Sequence, residues 1–542
     1  MRPISGLALR SFVVRNAGAI VPAILTALIL GRHVDFVPIW DGRAYADALT
    51  AAVRGPFNLL NFNVFAHPSM LFMLWSGLGQ FIDPGNAMLL NLSQIVLAVG
   101  AVVAFASIAR RLMPAPGDVA ERFLVTALFA VYPIVLASEQ NLNPDTGVLA
   151  AFLAYLALLF ARRYFWAMLA AVFMVSSKES GVLLYPIATA VFFLVDLRKE
   201  RWGARVRHVL ERTYFFAPLF FYGAVTLAGS LSGRNVLWKK PGGNGNLLRQ
   251  FLLPTIDEVT HSAYSTGIWI INFNWVLTAV IIAALLKLVF DILRHRRKLP
   301  EGIDPAAAGI LGLIFLAAVY ALTRFPTYTN LRYLLPVYPL FLFVFAVALR
   351  SVAGARSIRL GGLAIVFALL LVSVFRTVDP VSKAMYGTFP FGKHPLLKMT
   401  SLTRECCGYG RDQLGYNLEY VHFGTIQNRV FEAVRPTNAT TFVFDGMVDW
   451  FIHGQLDSRT YRRTLRYDDP ILPRYRKTLL CLASHTPATK IYYLAYPNAD
   501  NTTDFRALAG DYTVDEFDRV SEGGYELMIA LMSRRRPSIM KP

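Results

Sequence analysis

The stretch Ala87-Met-Leu-Leu-Asn-Leu-Ser-Gln-Ile-Val-Leu-Ala-Val-Gly-Ala-Val-Val-Ala-Phe-Ala-Ser-Ile-Ala109, followed at once by Arg110-Arg111, decides the class of fold. It carries no charge, and only Asn91, Ser93, Gln94 and Ser107 interrupt it with polar side chains. As a helix rising about 1.5 Å per residue, it covers the roughly 30 Å of a bilayer's hydrocarbon core. The paired arginines mark its cytoplasmic end, because Lys and Arg accumulate on the inner side of membrane spans.

Working outward, segments of the same kind run over Ala17–Leu30, Phe123–Ala137, Thr146–Ala161, Tyr164–Ser177, Gly181–Val195, Tyr214–Leu231, Ile268–Phe290, Ala306–Leu322, Leu334–Leu349 and Leu360–Phe375. Together they predict about eleven crossings. Alternate ends carry Arg162-Arg163, then Arg198, Lys199, Arg201, Arg205 and Arg207, then Arg294, Arg296, Arg297 and Lys298, and finally Arg350, Arg356 and Arg359. All of these fall on the side of Arg110-Arg111, provided that Pro68–Ile82 lies in the outer interface and does not cross. The N-terminus is then cytoplasmic and the chain after the last span external. Arg2, Arg10 and Arg15 before the first apolar run read as an uncleaved signal anchor, since no small-residue cleavage site follows Leu30.

Composition agrees with this reading. Of 542 residues, 55% are hydrophobic and 16% charged, which argues against a soluble globular enzyme and predicts an α-helical integral membrane protein. The formal net charge of +19 sits largely at span ends, so it does not point to nucleic acid. Neither an internal repeat nor a low-complexity segment is visible.

Residues 1–376 therefore read as a multi-span domain with a large external first loop, 31–86. Residues 377–542 read as an external, soluble α/β domain. Within it, Thr440–Asp445 and Lys490–Tyr496 are β-branched and aromatic runs bounded by turn residues, and Tyr525–Leu531 is a third candidate strand; helical stretches are expected between them. All three cysteines, Cys406, Cys407 and Cys481, fall in this tail, where one disulfide from either vicinal cysteine to Cys481 competes with three unpaired thiols. A further external loop, 232–265, carries Arg234, Lys239, Lys240 and Arg249 around Pro241-Gly-Gly-Asn-Gly245. External basic clusters run against the topological bias, so an anionic ligand such as a lipid phosphate, lipid head groups, or solvated charge must account for them.

The external ends of the spans also collect chemistry-bearing residues. They are Asp41 in Pro38-Ile-Trp-Asp41 of the first loop, Glu139 and Asp145 in Ser138-Glu-Gln-Asn-Leu-Asn-Pro-Asp145, Lys178-Glu179, and Arg324, Arg332 and Tyr333. Acids and bases from four separate loops thus face one compartment at one membrane depth, which predicts a convergent polar site. The competing roles are structural. Asp41 also suits a cap for a helix over Ala44–Val53, and Asp145 an N-cap after Asn143-Pro144. Lys178-Glu179 also suits a mutual ion pair, Arg332 a snorkelling anchor, and His67 a helix start.

In this order and sidedness the chain resembles the polytopic glycosyltransferases of the GT-C class, especially the protein mannosyltransferase and lipid A aminoarabinose transferase branch. The resemblance rests on Pro38-Ile-Trp-Asp41, His67-Pro-Ser-Met-Leu71, Asp145, Lys178-Glu-Ser-Gly-Val-Leu-Leu-Tyr-Pro186 and Arg332-Tyr-Leu-Leu-Pro-Val-Tyr-Pro339. It departs from the family at Gly42, where many relatives have a second acid, and at Ser69, where they have a second proline. The first departure leaves metal dependence open, since one carboxylate ligand is missing unless Asp47 or Asp145 substitutes.

What the resemblance implies is an inverting glycosyltransferase at the outer face of the inner membrane, moving a sugar from a polyprenyl-phosphate donor to an envelope glycan, lipid or protein. Asp41 and Asp145 are then the catalytic candidates, with Asp41 as the base. Lys178, Glu179, Arg332, Tyr333, Lys239, Lys240, Tyr45 and His67 are the substrate-binding candidates, the cations serving to neutralise the departing phosphate. The alternative from another class is a polytopic transporter or lipid flippase with an external domain, which would show broken spans and repeated halves.

Overall fold

The computed structural model describes residues 6–32, 34, 38, 40–63, 68–196, 213–231, 273–294, 300–323, 331–375, 379–386, 390–391, 394–395, 440–444, 490–495, 510, 512–522 and 525–535. The expectations for His67, for the loop with Lys239 and Lys240, for the three cysteines and for the helices between the tail strands lie outside these residues.

The molecule is an α-helical membrane protein with a sheet-containing C-terminal part. Its first helices are α1 (Gly6–Gly31), α2 (Trp40–Arg54), α3 (Met70–Gly77), α4 (Ala87–Leu112), α5 (Val119–Ala130), α6 (Pro133–Gln140), α7 (Pro144–Phe160), α8 (Tyr164–Val175) and α9 (Glu179–Asp196). There follow α10 (Ala217–Leu231), α11 (Asn274–Leu293), α12 (Pro305–Thr323), α13 (Val337–Val352), α14 (Arg356–Val374) and α15 (Pro380–Tyr386). Over its described residues, each apolar segment expected to cross is largely helical. Among the described residues, four of these helices suffice by length and composition to cross a membrane, or five if the bent pair α5–α6 counts as one span, and six apolar helices are shorter. The short α3, with Leu78, Phe81 and Ile82 exposed just beyond it, fits the reading that Pro68–Ile82 does not cross, since eight helical residues span only about 12 Å.

One crossing departs from expectation. Phe123–Ala137 read as one continuous span, yet α5 and α6 meet at 47°. Pro133 is the reason: it has no N–H to continue the helical ladder. The Tyr132 N–H takes the Phe129 carbonyl at 3.2 Å, and the Thr26 hydroxyl on α1 donates to the Ala130 carbonyl at 3.1 Å. A polar group freed at the break is thereby satisfied by a neighbouring helix, as a low-dielectric surrounding demands.

The bundle has two chemically different poles. At one, the arginines that end or begin α4, α13 and α14 are gathered by acids. Arg350 meets Glu121 at 2.8 Å and Asp118 at 2.6 Å, Arg359 meets Glu121 at 2.8 Å, and Arg111 meets Asp304 at 3.1 Å. This is the common side that charge counting assigned to Arg110-Arg111, Arg350 and Arg359. Between the poles the core is apolar, with Phe105 of α4 stacked between Phe129 of α5 and Phe343 of α13 at ring separations of 4.6 and 4.2 Å.

After α15 come the two-residue strands β1 (Pro390–Phe391) and β2 (His394–Pro395), then β3 (Thr440–Phe444), β4 (Lys490–Ala495), β5 (Tyr512–Glu522) and β6 (Tyr525–Arg534). The larger sheet has the order β3-β4-β6-β5. β3 and β4 are parallel, and the other pairs antiparallel. The three strands expected from sequence are present. β5 was not anticipated, because Asp515-Glu-Phe-Asp-Arg519 carries too much charge for a buried strand; it lies at the edge of the sheet with most of its residues exposed, where charge protects against edge pairing.

Candidate functional site

The second pole is built from the starts of α2, α7 and α9 and from a short 3-10 turn at Leu331–Leu334. Asn143-Pro144-Asp145 opens α7, with proline at a position whose N–H the helix does not need and Asp145 in the first turn. Lys178 reaches this pole on the turn between α8 and α9. The Ser176 and Ser177 hydroxyls donate to the Val172 and Phe173 carbonyls at 2.7 Å each, closing the end of α8. Gly181 then lets α9 depart: a Cβ there would lie 2.2 Å from the Met174 carbonyl oxygen.

These elements bring together three of the residues predicted for the site. Lys178 Nζ lies 2.7 Å from Asp145 Oδ2, and Arg332 Nε lies 4.0 Å from the same oxygen. Arg332 Nη1 also donates to Asn143 Oδ1 at 3.3 Å. Tyr333, the fourth, lays its ring under Lys178 Nζ at 4.0 Å and beside the Arg332 guanidinium at 5.3 Å, a cation–π arrangement that gains strength as water is excluded. Asp145, Lys178 and Arg332 are 2%, 5% and 8% exposed. Burial of charge at this level is tolerated only in a paired cluster.

Asp41 lies in the first turn of α2, and the backbone alone fixes its neighbourhood. A Cβ on Gly42 would come 2.1 Å from Asn141 Oδ1. The first turn of α2 therefore abuts the loop that carries Asn141, Asn143 and Asp145. Glycine at 42, where the family resemblance expects an acid, is what permits this approach. Sequence reading found the departure but not its purpose, which is a contact between residues 99 positions apart and invisible to local pattern.

Other candidates fall elsewhere. Tyr45 is buried in an apolar cluster with Leu49, Phe62 and Phe72, all within the first loop. Glu179 begins α9 and is half-buried. Residues that sequence reading did not assign to the site also converge here. Gln94 Nε2 donates to Ser76 Oγ at 2.8 Å, and Thr146 Oγ1 approaches Gln94 Oε1 at 3.5 Å, so α3, α4 and α7 share a polar layer beneath Asp145. The signal for it was present as Asn91-Leu-Ser-Gln94, a polar cluster in an otherwise apolar span. Among the described residues no group of three His, Cys, Asp or Glu side chains converges as a metal ion would require; the Asp41 side chain is not among those described.

Neither family models nor curated proteins match the chain. Among solved structures, it is similar to ArnT from Cupriavidus metallidurans in the apo state, at 14% identity and a TM-score of 0.47, over 96% of this chain and 98% of that one. The same enzyme bound to undecaprenyl phosphate matches at 13% identity and a TM-score of 0.46, with the same coverage. The Archaeoglobus fulgidus oligosaccharyltransferase in complex with zinc and sulfate matches at 12% identity and a TM-score of 0.40, over 88% of this chain and 67% of that one.

Proposed function

We propose that the chain is an inverting glycosyltransferase that moves a sugar from a polyprenyl-phosphate donor to an envelope glycan, lipid or protein at the outer face of the inner membrane. The observation that carries the reading is the buried meeting of Lys178 and Arg332 on Asp145 and Asn143, against the first turn of the helix that begins with Trp40-Asp41. Two cations held at one membrane depth suit a lipid-borne phosphate, whose apolar tail lies in the bilayer while its anion reaches the end of the bundle.

In this mechanism the acceptor hydroxyl attacks the anomeric carbon from the face opposite the phosphate. Asp41 takes the hydroxyl proton, the new glycosidic bond forms, and the bond from the anomeric carbon to the phosphate oxygen breaks with its electron pair leaving on phosphate. Single displacement inverts the anomeric configuration. Lys178 and Arg332 offset the charge that grows on the leaving group. Asp145 is placed to orient Lys178 and limit its motion, a role that its 2.7 Å contact supports. Residues 1–376 would hold this site, with the N-terminus cytoplasmic. Residues 377–542, on the external side, would meet the acceptor.

The test supplies a panel of polyprenyl-phosphate sugars and envelope acceptors to the purified full chain, with Asp41→Asn beside the wild type. Loss of a positioned general base is expected to lower transfer about 10²- to 10⁴-fold. Full-rate transfer by Asp41→Asn sinks the mechanism.

A second reading, a lipid transporter, is favoured by the break between α5 and α6, because transporters bind substrates at interrupted helices. It predicts movement of intact donor lipid across vesicles with no release of polyprenyl phosphate.

A further inference from the structure

We propose that Ser138, Glu139 and Asn143 form the subsite that recognises the hydroxyl groups of the transferred sugar; this rests on the glycosyltransferase reading above and names its substrate chemistry. The three side chains are 0%, 1% and 1% exposed. Among the described residues, the Ser138 hydroxyl, both carboxyl oxygens of Glu139 and the Asn143 amide nitrogen make no hydrogen bond. Buried polar groups are satisfied in the great majority of folded structures, and an unmet one costs about 1–3 kcal/mol. Such groups within six residues of one another, at the junction of two apolar helices, are a built feature rather than scattered defects.

Position ties this group to the chemistry. Asn143 turns its amide oxygen to Arg332 and leaves its nitrogen to donate elsewhere, so one side chain joins the cation cluster to the subsite. Asn141, between Glu139 and Asn143 in sequence, meets the first turn of α2 at Gly42, beside Asp41. The subsite therefore borders both the groups assigned to the phosphate and the helix assigned to the base, where the sugar of a donor must lie.

The donor and acceptor set selects the ligand class. A hydroxyl, a carboxyl and an amide N–H together offer both acceptors and donors, the complement of a polyol. The unmet polar atoms disfavour a lipid tail. Polar groups left unpaired by the wrong ligand discriminate more strongly than apolar shape does.

The test measures binding to the detergent-purified full chain of a polyprenyl phosphate and of the same lipid bearing hexoses or pentoses. The wild type is expected to bind at least one sugar-bearing lipid about tenfold or more tightly than the bare phosphate. Glu139→Gln is expected to weaken that lipid about 10- to 100-fold, the effect of leaving a buried polar group without its hydrogen-bond partner, while bare-phosphate affinity stays at the wild-type value. Ser138→Ala is expected to act in the same direction and serves if Glu139→Gln does not fold. If the wild type binds neither lipid, the glycosyltransferase reading fails and takes the subsite with it. If the bare phosphate binds but sugars add no affinity, or if the variants bind both lipids as the wild type does, the subsite alone is overturned. Equal loss of both lipids also overturns it, by showing a structural role for these side chains.

Discussion

Gly42 shows how much one missing side chain can decide. An added methyl would overlap the Asn141 amide oxygen, and Asn141, 1% exposed, has little room to turn away. Overpacking of this kind costs about 1–3 kcal/mol, and its strain would fall on the loop that leads to Asn143 and Asp145. Gly42→Ala is therefore expected to fold with a lowered thermal midpoint and to lose transfer activity by about tenfold or more, since small misplacements of reacting groups are costly. Wild-type turnover in this variant would show that α2 does not lie against Asn141 in the working protein. At the same scale, Lys178 illustrates a choice that local reading left open. It was a possible partner of its neighbour Glu179, but the turn after α8 carries its ammonium to Asp145.

At the scale of elements, the junction between the last span and the tail has its own lock. Asp379 caps α15 by accepting the Ser382 N–H at 2.7 Å, and the Trp275 indole N–H donates to the Ser382 hydroxyl at 2.9 Å. The start of α11 is thereby fastened to the start of α15. Burial pushes the Asp379 carboxyl above the usual carboxylate range, even though backbone N–H groups of Ser382, Phe273 and Val381 favour its ionised form. A carboxyl raised on folding lends stability that is complete below its unfolded pKa of about 3.9 and is lost as pH rises through the folded value. Asp379→Asn keeps an acceptor for the cap but cannot ionise. Its thermal midpoint relative to the wild type is expected to rise as pH increases from about 4. A difference independent of pH would contradict the assignment.

Across the whole molecule, the two poles divide stability from chemistry. Glu121, 3% exposed, takes both Arg350 and Arg359, and a +77° φ at Gly302 admits the Arg350 guanidinium beside Asp118. Removing the central carboxylate leaves buried guanidinium groups under-compensated, at a cost of about 3–5 kcal/mol. Glu121→Gln is thus expected to unfold at distinctly lower temperature in detergent while the folded fraction binds polyprenyl phosphate as the wild type does. A variant as stable as the wild type would mean that the cluster contributes no net stability, and impaired binding would mean that the poles are coupled.

The apolar helices and three of the tail strands were legible in sequence because each follows from local physics: apolar length against bilayer thickness, and β-branched runs between turn residues. The residue types of the site were legible for a similar reason, since Asp145, Lys178 and Arg332 stand out against apolar surroundings. What local pattern could not supply was their meeting. The bend at Pro133 needed Thr26 of another helix to satisfy it, and Gly42 needed Asn141. Edge strand β5 needed the sheet beside it before its charges made sense. Those features depend on distances between residues far apart in the chain, and only the packed bundle, where each buried polar group must find a partner or a ligand, determines them.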